Sequence, residues 1–248
     1  MFNDYKLAHD EITPKLFNLM EYIFKPIATD VESFQKPFMR AFDDLNSGKV
    51  DAHVGSFAID MEGYIFPRWH FYLSHIGVIF KKDKVAKWQG YKTLSNNRVG
   101  WIRGYYFNLF FDKKIPIQLL EVSNLTQCIN LIKSGRLDFC MDGMINGLHP
   151  ISKQMQLSMD EYRIETLYKE PTFLRFLDTP RSKKIIALYD NRMDYLYNSG
   201  KLANFYKKLK LPPISPKEEK FIKRPKINLK DILAGTDDWA AYIKYINP

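Results

Sequence analysis

The sequence predicts an α/β protein built from two similar lobes, and three observations carry that expectation. The stretches RAFDDLNSGKVDAHVGS (40–56) and QCINLIKSGRLDFCMDG (127–143) match without a gap at a constant offset, 127 − 40 = 87. Each copy passes from apolar residues at helical spacing, through Ser-Gly, into a short apolar strand, the helix–turn–strand half of a βαβ unit. The chain is 248 residues long, more than one compact domain usually holds.

The elements follow in order. Residues 14–24 (PKLFNLMEYIF) predict an amphipathic helix, with Pro14 near its start and Leu16, Leu19, Met20 and Ile23 on one face. In the first copy Phe38, Phe42 and Leu45 share a face, with Ala41 beside them; in the second, Leu125, Cys128, Ile129 and Ile132 do. Gly48 and Gly135 stand where a helix end wants a left-handed residue, and Lys49 or Arg136 follows near the negative helix end. Strands are predicted at Val50–Val54 and Leu137–Met141, each with its Asp one place in. Between the copies, IGVIF (76–80) is an apolar strand ending in KKDK, a lobe boundary. RVGWIRGYYFNLFF (98–111) reads as strand, tight glycine turn and helix; Ile117–Val122 is a strand, and Ser123-Asn124 caps the next helix. The chain runs extended around Leu167–Leu177. A strand (KKIIALY) and two helical stretches split at Asn198-Ser199-Gly200 are predicted over Ser182–Leu209. The Ser-Gly-Lys-Leu at 199–202 lies between helical patterns and is outside the repeat. Beyond Leu211 a surface-hugging tail leads to a short helix around Asp237–Tyr245 that packs Trp239, Tyr242 and Ile243.

Composition excludes several classes. Apolar residues make up 46% and charged ones 26%, as in ordinary globular proteins. No stretch approaches the roughly 18 to 20 apolar residues that a membrane span needs. The opening, MFNDYKLAHDEITPKLF, lacks the apolar core of a secretory signal, so the expectation is a cytosolic protein or one whose leader has been removed. Cys128 and Cys140, in a helix and the strand after it, are expected to be buried free thiols. The five histidines show no paired ligand spacing, and neither a metal nor a cofactor is expected. A net charge of +9 comes from scattered lysines, which argues for a solvated basic surface and against nucleic-acid binding.

With RAFDDLNSGKVDAHVGS, HIGVIFKKD, NNRVGWIRGYY, QCINLIKSGRLDFCMDG and RMDYLYNSGKLANFYKKL in this order, the chain resembles the bacterial extracellular solute-binding proteins, family 3-like, of the type 2 periplasmic-binding fold. That group includes the polar amino-acid receptors of ABC importers, and the resemblance covers about residues 36 to 210. It implies an α/β, two-lobed fold with a ligand cleft between lobes joined by two crossing strands. Lobe one would be 1–82 plus 170–212, lobe two 83–169, and 213–248 a C-terminal extension packing on a lobe. Two features of amino-acid binders differ here. The Thr-x-x-Arg pattern that clamps an α-carboxylate is replaced by AIDMEGYIFPRW, with Arg68 several residues late, and only DYKLAHDEI could serve as the N-terminal strand. These departures argue against an ordinary free amino acid as ligand.

Candidate binding residues follow from the rule that ligands gather beyond the carboxyl ends of strands. Gly55, Ser56 and Phe57 end the first repeat strand, as ligand contacts or as a turn. Arg103, with Tyr105 and Tyr106 after Gly104, sits between a strand and a helix, where free N–H groups and a guanidinium suit an anion. Asp142 occupies the place where, by the resemblance, a carboxylate holds an ammonium group; alternatively it caps a turn with Gly143. Asn124 contacts ligand or caps its helix. Arg68 and Trp69 fall near the edge of lobe one, and Trp101 belongs to an aromatic group with Tyr64, Phe66 and Tyr72 whose faces could stack on a planar or cationic ligand.

No Ser-His-Asp order, HExxH or phosphate-cradling loop presents itself, so no catalytic residue is assigned. The expected function is a non-enzymatic receptor that closes over a small polar solute, amino-acid-like or anionic, for ABC-type uptake or sensing. The resemblance implies a periplasmic monomer partnered by a membrane permease or sensor. The alternative is a ligand-free sensory or interaction module on the same fold.

Overall fold

The computed structural model describes residues 5–9, 14–28, 31–36, 38–57, 62–105 and 115–214. The chain divides into two compact units: residues up to Leu73 together with those from Pro171 onward, and Ser74–Glu170. The first division falls nine residues before the expected 82/83 and the second one after the expected 169/170. The charged KKDK marks the end of a strand, not the place where the chain changes unit.

In unit 1, strand β1 (Tyr5–His9) lies between β2 (Val31–Gln35) and β3 (Ala52–Phe57), parallel to both. The long strand β9 (Tyr162–Leu177) pairs antiparallel with β3, and the short β4 (Tyr64–Ile65) pairs with β9. Helix α1 (Pro14–Phe24) buries Leu16, Leu19, Met20 and Ile23, the face its spacing predicts, together with Phe24. Its neighbours in the core are Val54 of β3, Leu174 and Phe176 of β9, and Ile185, Tyr189, Met193 and Leu196. These last four belong to α5 (Pro180–Asn198), which is followed by α6 (Lys201–Leu209). The KKIIALY segment expected as a strand is therefore helix. Thr179 caps it by accepting from the Ser182 N–H, Pro180 opens it, and the apolar residues continue at helical spacing well past Tyr189.

In unit 2 the strand order is β5 (Tyr72–Lys81), β8 (Phe139–Gly143), β6 (Arg98–Ile102), β7 (Gln118–Val122). The last three are mutually parallel, and β5 is antiparallel to β8. Helix α3 (Leu125–Lys133) covers them with Leu125, Cys128, Ile129 and Ile132, which meet Ile79, Val122, Leu137 and Tyr162. Strands β5 and β9 carry the chain from one unit to the other. In unit 2 the Lys82 N–H donates to the Glu161 carbonyl, and in unit 1 the Phe71 N–H donates to the Thr172 carbonyl. Gly77 is required by this approach, because a Cβ there would lie 2.6 Å from the Glu165 carbonyl oxygen.

The repeated phrase takes one backbone form twice. Helix α2 (Phe38–Asn46) ends with the Gly48 N–H donating to Leu45 and the Lys49 N–H to Asp44; α3 ends with Gly135 donating to Ile132 and Arg136 to Leu131. Both glycines are left-handed, with φ of +71° and +70°. The reversal extends to the Val50 and Leu137 N–H groups, which still bond the helix ends, so the strands begin two residues later than expected.

The expectation for the two cysteines is overturned as well. Cys128 and Cys140 are not free thiols but form a disulfide, with Cα atoms 5.9 Å apart. The left-handed turn folds the strand back under the helix, so residues 12 apart in sequence face one another. In the chain-entropy account a loop of this length stabilises by about 3 kcal/mol. Reduction by dithiothreitol is therefore expected to lower the melting temperature, and a melting curve unchanged by reductant contradicts the bond's stabilising role. Gly100 lies against the same bond: a Cβ there would sit 2.5 Å from Leu137 Cδ1 and 2.9 Å from Cys128 Sγ. Gly100→Ala is expected to destabilise by about 1–3 kcal/mol through overpacking, measurable by urea denaturation.

Candidate functional site

In unit 2 the three parallel strands bring several predicted residues to one end of the sheet. Register pairs Ile102 with Val122, and continuing the β6–β8 pairing from Gly100↔Cys140 sets Ile102 level with Asp142. Arg103, Asn124 and Asp142 thus lie at the carboxyl ends of β6, β7 and β8. The Arg103 N–H donates to the Val122 carbonyl (2.9 Å), tying the first two ends together. Its side chain is 70% exposed and 3.7 Å from Glu121, a loose surface pairing. Gly104, at φ +87°, turns the chain so that the Tyr105 N–H bonds the Ile102 carbonyl.

Asp142 is 2% exposed, and its Oδ1 accepts from the Gly143 N–H at 2.6 Å. The chain then makes a single π-helical turn, Met144–Leu148, before α4 (His149–Gln154). Such turns often occur at functional sites. This one lays Gly147 against the carboxylate so closely that a Cβ would come within 2.9 Å of Asp142 Cγ. Asn124 caps α3 by accepting from the Gln127 N–H (2.9 Å), while the Gln127 side chain accepts from the Ser123 N–H (2.8 Å). Its side chain does the capping job the sequence offered.

In unit 1 the end of β3 carries a β-bulge. Register shifts between Val54↔Leu174 and Ser56↔Phe173, and Gly55 between them has φ +110°. A bulge bends a strand and re-aims its side chains. Ser56 is 3% exposed, with its Oγ 2.8 Å from His53 Nδ1, so the hydroxyl serves the interior. Phe57 is half-buried, and its carbonyl accepts from the Arg175 guanidinium (3.2 Å).

Arg68, Trp69 and Trp101 have structural engagements. Asp190 of α5 accepts from the backbone N–H groups of Arg68 (2.8 Å) and Trp69 (3.0 Å). Asp194, one turn on, accepts from the Trp69 indole N–H (2.9 Å) and pairs with the Arg68 guanidinium. Trp69 and Trp101 are each 1% exposed, Trp101 inside β6, so neither offers a ring face to solvent. Tyr106 lies outside the described residues, as do the helix expected after Gly104 and the helix expected in the C-terminal extension.

A titratable group not singled out in the sequence sits where β9 leaves unit 2. Burial pushes the Glu170 carboxyl up to about 7. Burial likewise pushes the Tyr91 hydroxyl up to about 12, with the Glu170 charge adding to it, and raises Tyr168, whose ring stacks on Tyr91 at 6.1 Å. His75 of β5 is lowered by burial and by the charge of Lys169.

No family model and no curated protein sequence matches the chain. Solved structures do. An ancestral arginine-binding protein bound to arginine is 16% identical, with 83% of this chain and 97% of that one covered at a TM-score of 0.65. An amino-acid ABC transporter substrate-binding protein from Streptococcus pneumoniae, bound to L-arginine, is 17% identical over 83% of this chain and 94% of that one, with a TM-score of 0.63. An ancestral amino-acid-binding protein, a precursor of cyclohexadienyl dehydratase, is 14% identical over 83% and 94%, with a TM-score of 0.64. The chain has the type 2 periplasmic-binding fold. Within that fold the carboxyl ends of β3, β6, β7 and β8 carry the candidate residues, and the described helices include none long and apolar enough to cross a membrane.

Glu170 gives a pH prediction. A carboxyl raised in the folded state favours folding while protonated. Its contribution is complete below the unfolded value, about 4.3, and is lost as pH rises to about 7. The gain in melting temperature of Glu170→Gln over the wild type is expected to be larger at pH 8 than at pH 4; an equal difference at both refutes the assignment.

Proposed function

We propose that the chain is a non-enzymatic solute-binding receptor that captures a small polar solute, for uptake through a membrane permease or for sensing. The observation that carries this reading is the convergence of Arg103, Asn124 and Asp142 at the carboxyl ends of three parallel strands in a type 2 periplasmic-binding fold. An exposed guanidinium suits a carboxylate or another anion, and a buried carboxylate suits an ammonium group. The pair favours a zwitterionic, amino-acid-like solute, with Tyr105 beside Arg103 as the adjoining ring. The solute stabilises the bound conformation through interactions made only there.

The Cys128–Cys140 disulfide supports a periplasmic or otherwise oxidising location, since such bonds persist outside the reducing cytosol. One observation favours the second reading, a ligand-free interaction module. At the end of β3 the Ser56 hydroxyl and the Phe57 carbonyl are already engaged by His53 and Arg175.

Thermal melting against L-arginine, L-glutamine, L-glutamate, other amino acids, dicarboxylates and sugars separates the two. A true solute at about 100 times its Kd is expected to raise the melting temperature by roughly 5–10 °C. Arg103→Ala is expected to weaken that solute about tenfold or more while leaving the solute-free melting temperature unchanged. No shift from any solute overturns the receptor reading in favour of the module. Recovery of a chemically altered solute overturns its non-enzymatic part.

A further inference from the structure

A buried cation lies beside the Gly55 bulge. Arg175 sits in β9 within an otherwise apolar run, FLRFL, and is 2% exposed. Its guanidinium lies 5.3 Å from the ring centre of Phe42, 5.5 Å from Tyr64 and 5.4 Å from Phe66. Those three rings come from α2, β4 and the residue after β4, so a single side chain gathers three parts of unit 1. Tyr64 is itself tied to α2, its hydroxyl donating to Asn46 at 2.5 Å. Rings within about 6 Å attract a cation through their negative faces, and do so more strongly away from water.

The guanidinium also acts on the strand end. Its Nη2 donates to the Phe57 carbonyl, two residues past the Gly55 bulge. His53, the direct cross-strand partner of Arg175, holds Ser56 from the other side of that glycine. Phe38 and Phe42 meet the His53 ring edge-on, at 5.1 and 6.3 Å between centres. The two residues after Gly55 are thus each held by a buried polar group, and both groups lie against aromatic side chains of α2.

We propose that Arg175 is a positioning residue for solute capture: seated among Phe42, Tyr64 and Phe66, it holds the Phe57 carbonyl and so sets the backbone course of Gly55–Phe57. This rests on the receptor reading for its purpose, but its test does not. A planar fork between rings can direct an N–H in a way a lysine ammonium cannot, because its donors are fixed in the plane that stacks.

The test is amide hydrogen exchange on the full chain without solute, for the wild type, Arg175→Ala and Arg175→Lys. Exchange over residues 52–57 is expected to quicken about tenfold or more in both variants, while α1 and α5 stay within about twofold of the wild type. Guanidinium chloride at about 20 mM, far below denaturing concentrations, is expected to restore protection to Arg175→Ala, whereas methylammonium chloride is not. Unchanged exchange at 52–57, an increase spread equally over α1 and α5, or equal rescue by methylammonium each overturns the proposal. If Arg175→Ala does not fold, Arg175→Lys decides alone, since it keeps charge and stem; wild-type exchange in that variant overturns the assignment. A wild type that takes up no solute counts against the receptor reading and leaves this result standing.

Discussion

The left-handed turn after each repeated helix is the constraint on which the rest of each unit depends. It is a Schellman motif both times: the C′ glycine donates three residues back, and the next residue donates five back. Only a residue without a Cβ takes that conformation cheaply, and glycine supplies it at 48 and 135. Once the turn is made, the strand is aimed under its own helix, so residues about a turn before the helix end face residues a few places into the strand. Core, staple and strand end in each unit are consequences of that single reversal.

The same backbone is then held by different chemistry. Offset 87 sets Ala41 against Cys128 and His53 against Cys140. In unit 2 the helix and strand are joined covalently; in unit 1 a buried histidine fills the strand position and meets Phe38 and Phe42 of the helix. The aspartate just before each strand keeps its role with a new partner. Asp51 takes a two-point bond from Arg181 of α5, and Asp138 takes one from Arg98 of β6, which holds the Asp138 carboxyl below the usual carboxylate range. A two-point guanidinium bond needs the carboxylate in a defined orientation, and the glycine turn provides that orientation in both copies.

What the sequence made legible was what local spacing controls. Leu16, Leu19, Met20 and Ile23 announced a helix face, Ser123-Asn124 announced a cap, and the repeat announced two helix–turn–strand units. Long-range pairing was illegible. Whether KKIIALY is strand or helix turns on what lies beyond Tyr189 and on the cap at Thr179, because a short apolar run suits either state. The disulfide needed the depth of the turn, not the count of cysteines. Of the candidate residues, Arg68 and Trp69 looked available because Asp190 and Asp194, their partners, stand more than a hundred positions away. Arg175 carried one faint signal, a base inside an apolar strand, but its three rings come from segments that only the folded sheet assembles.

Polar chemistry at the strand ends is divided unevenly between the units. In unit 1 the groups after the bulge are engaged from within: the Ser56 hydroxyl by a histidine, the Phe57 carbonyl by an arginine. The peptide path of Gly55–Phe57 is therefore held by contacts within unit 1. In unit 2 Arg103 has a largely exposed guanidinium in a loose pairing with Glu121, while Asp142 is lodged against Gly147. Recognition by a rigid backbone and recognition by a mobile charged side chain have different energetics. The first loses little entropy on binding and discriminates by shape; the second loses rotamer freedom and discriminates by charge. The reversal that aims both strands lies upstream of these groups, in the two glycines, so each set of strand-end contacts is built on the same backbone form.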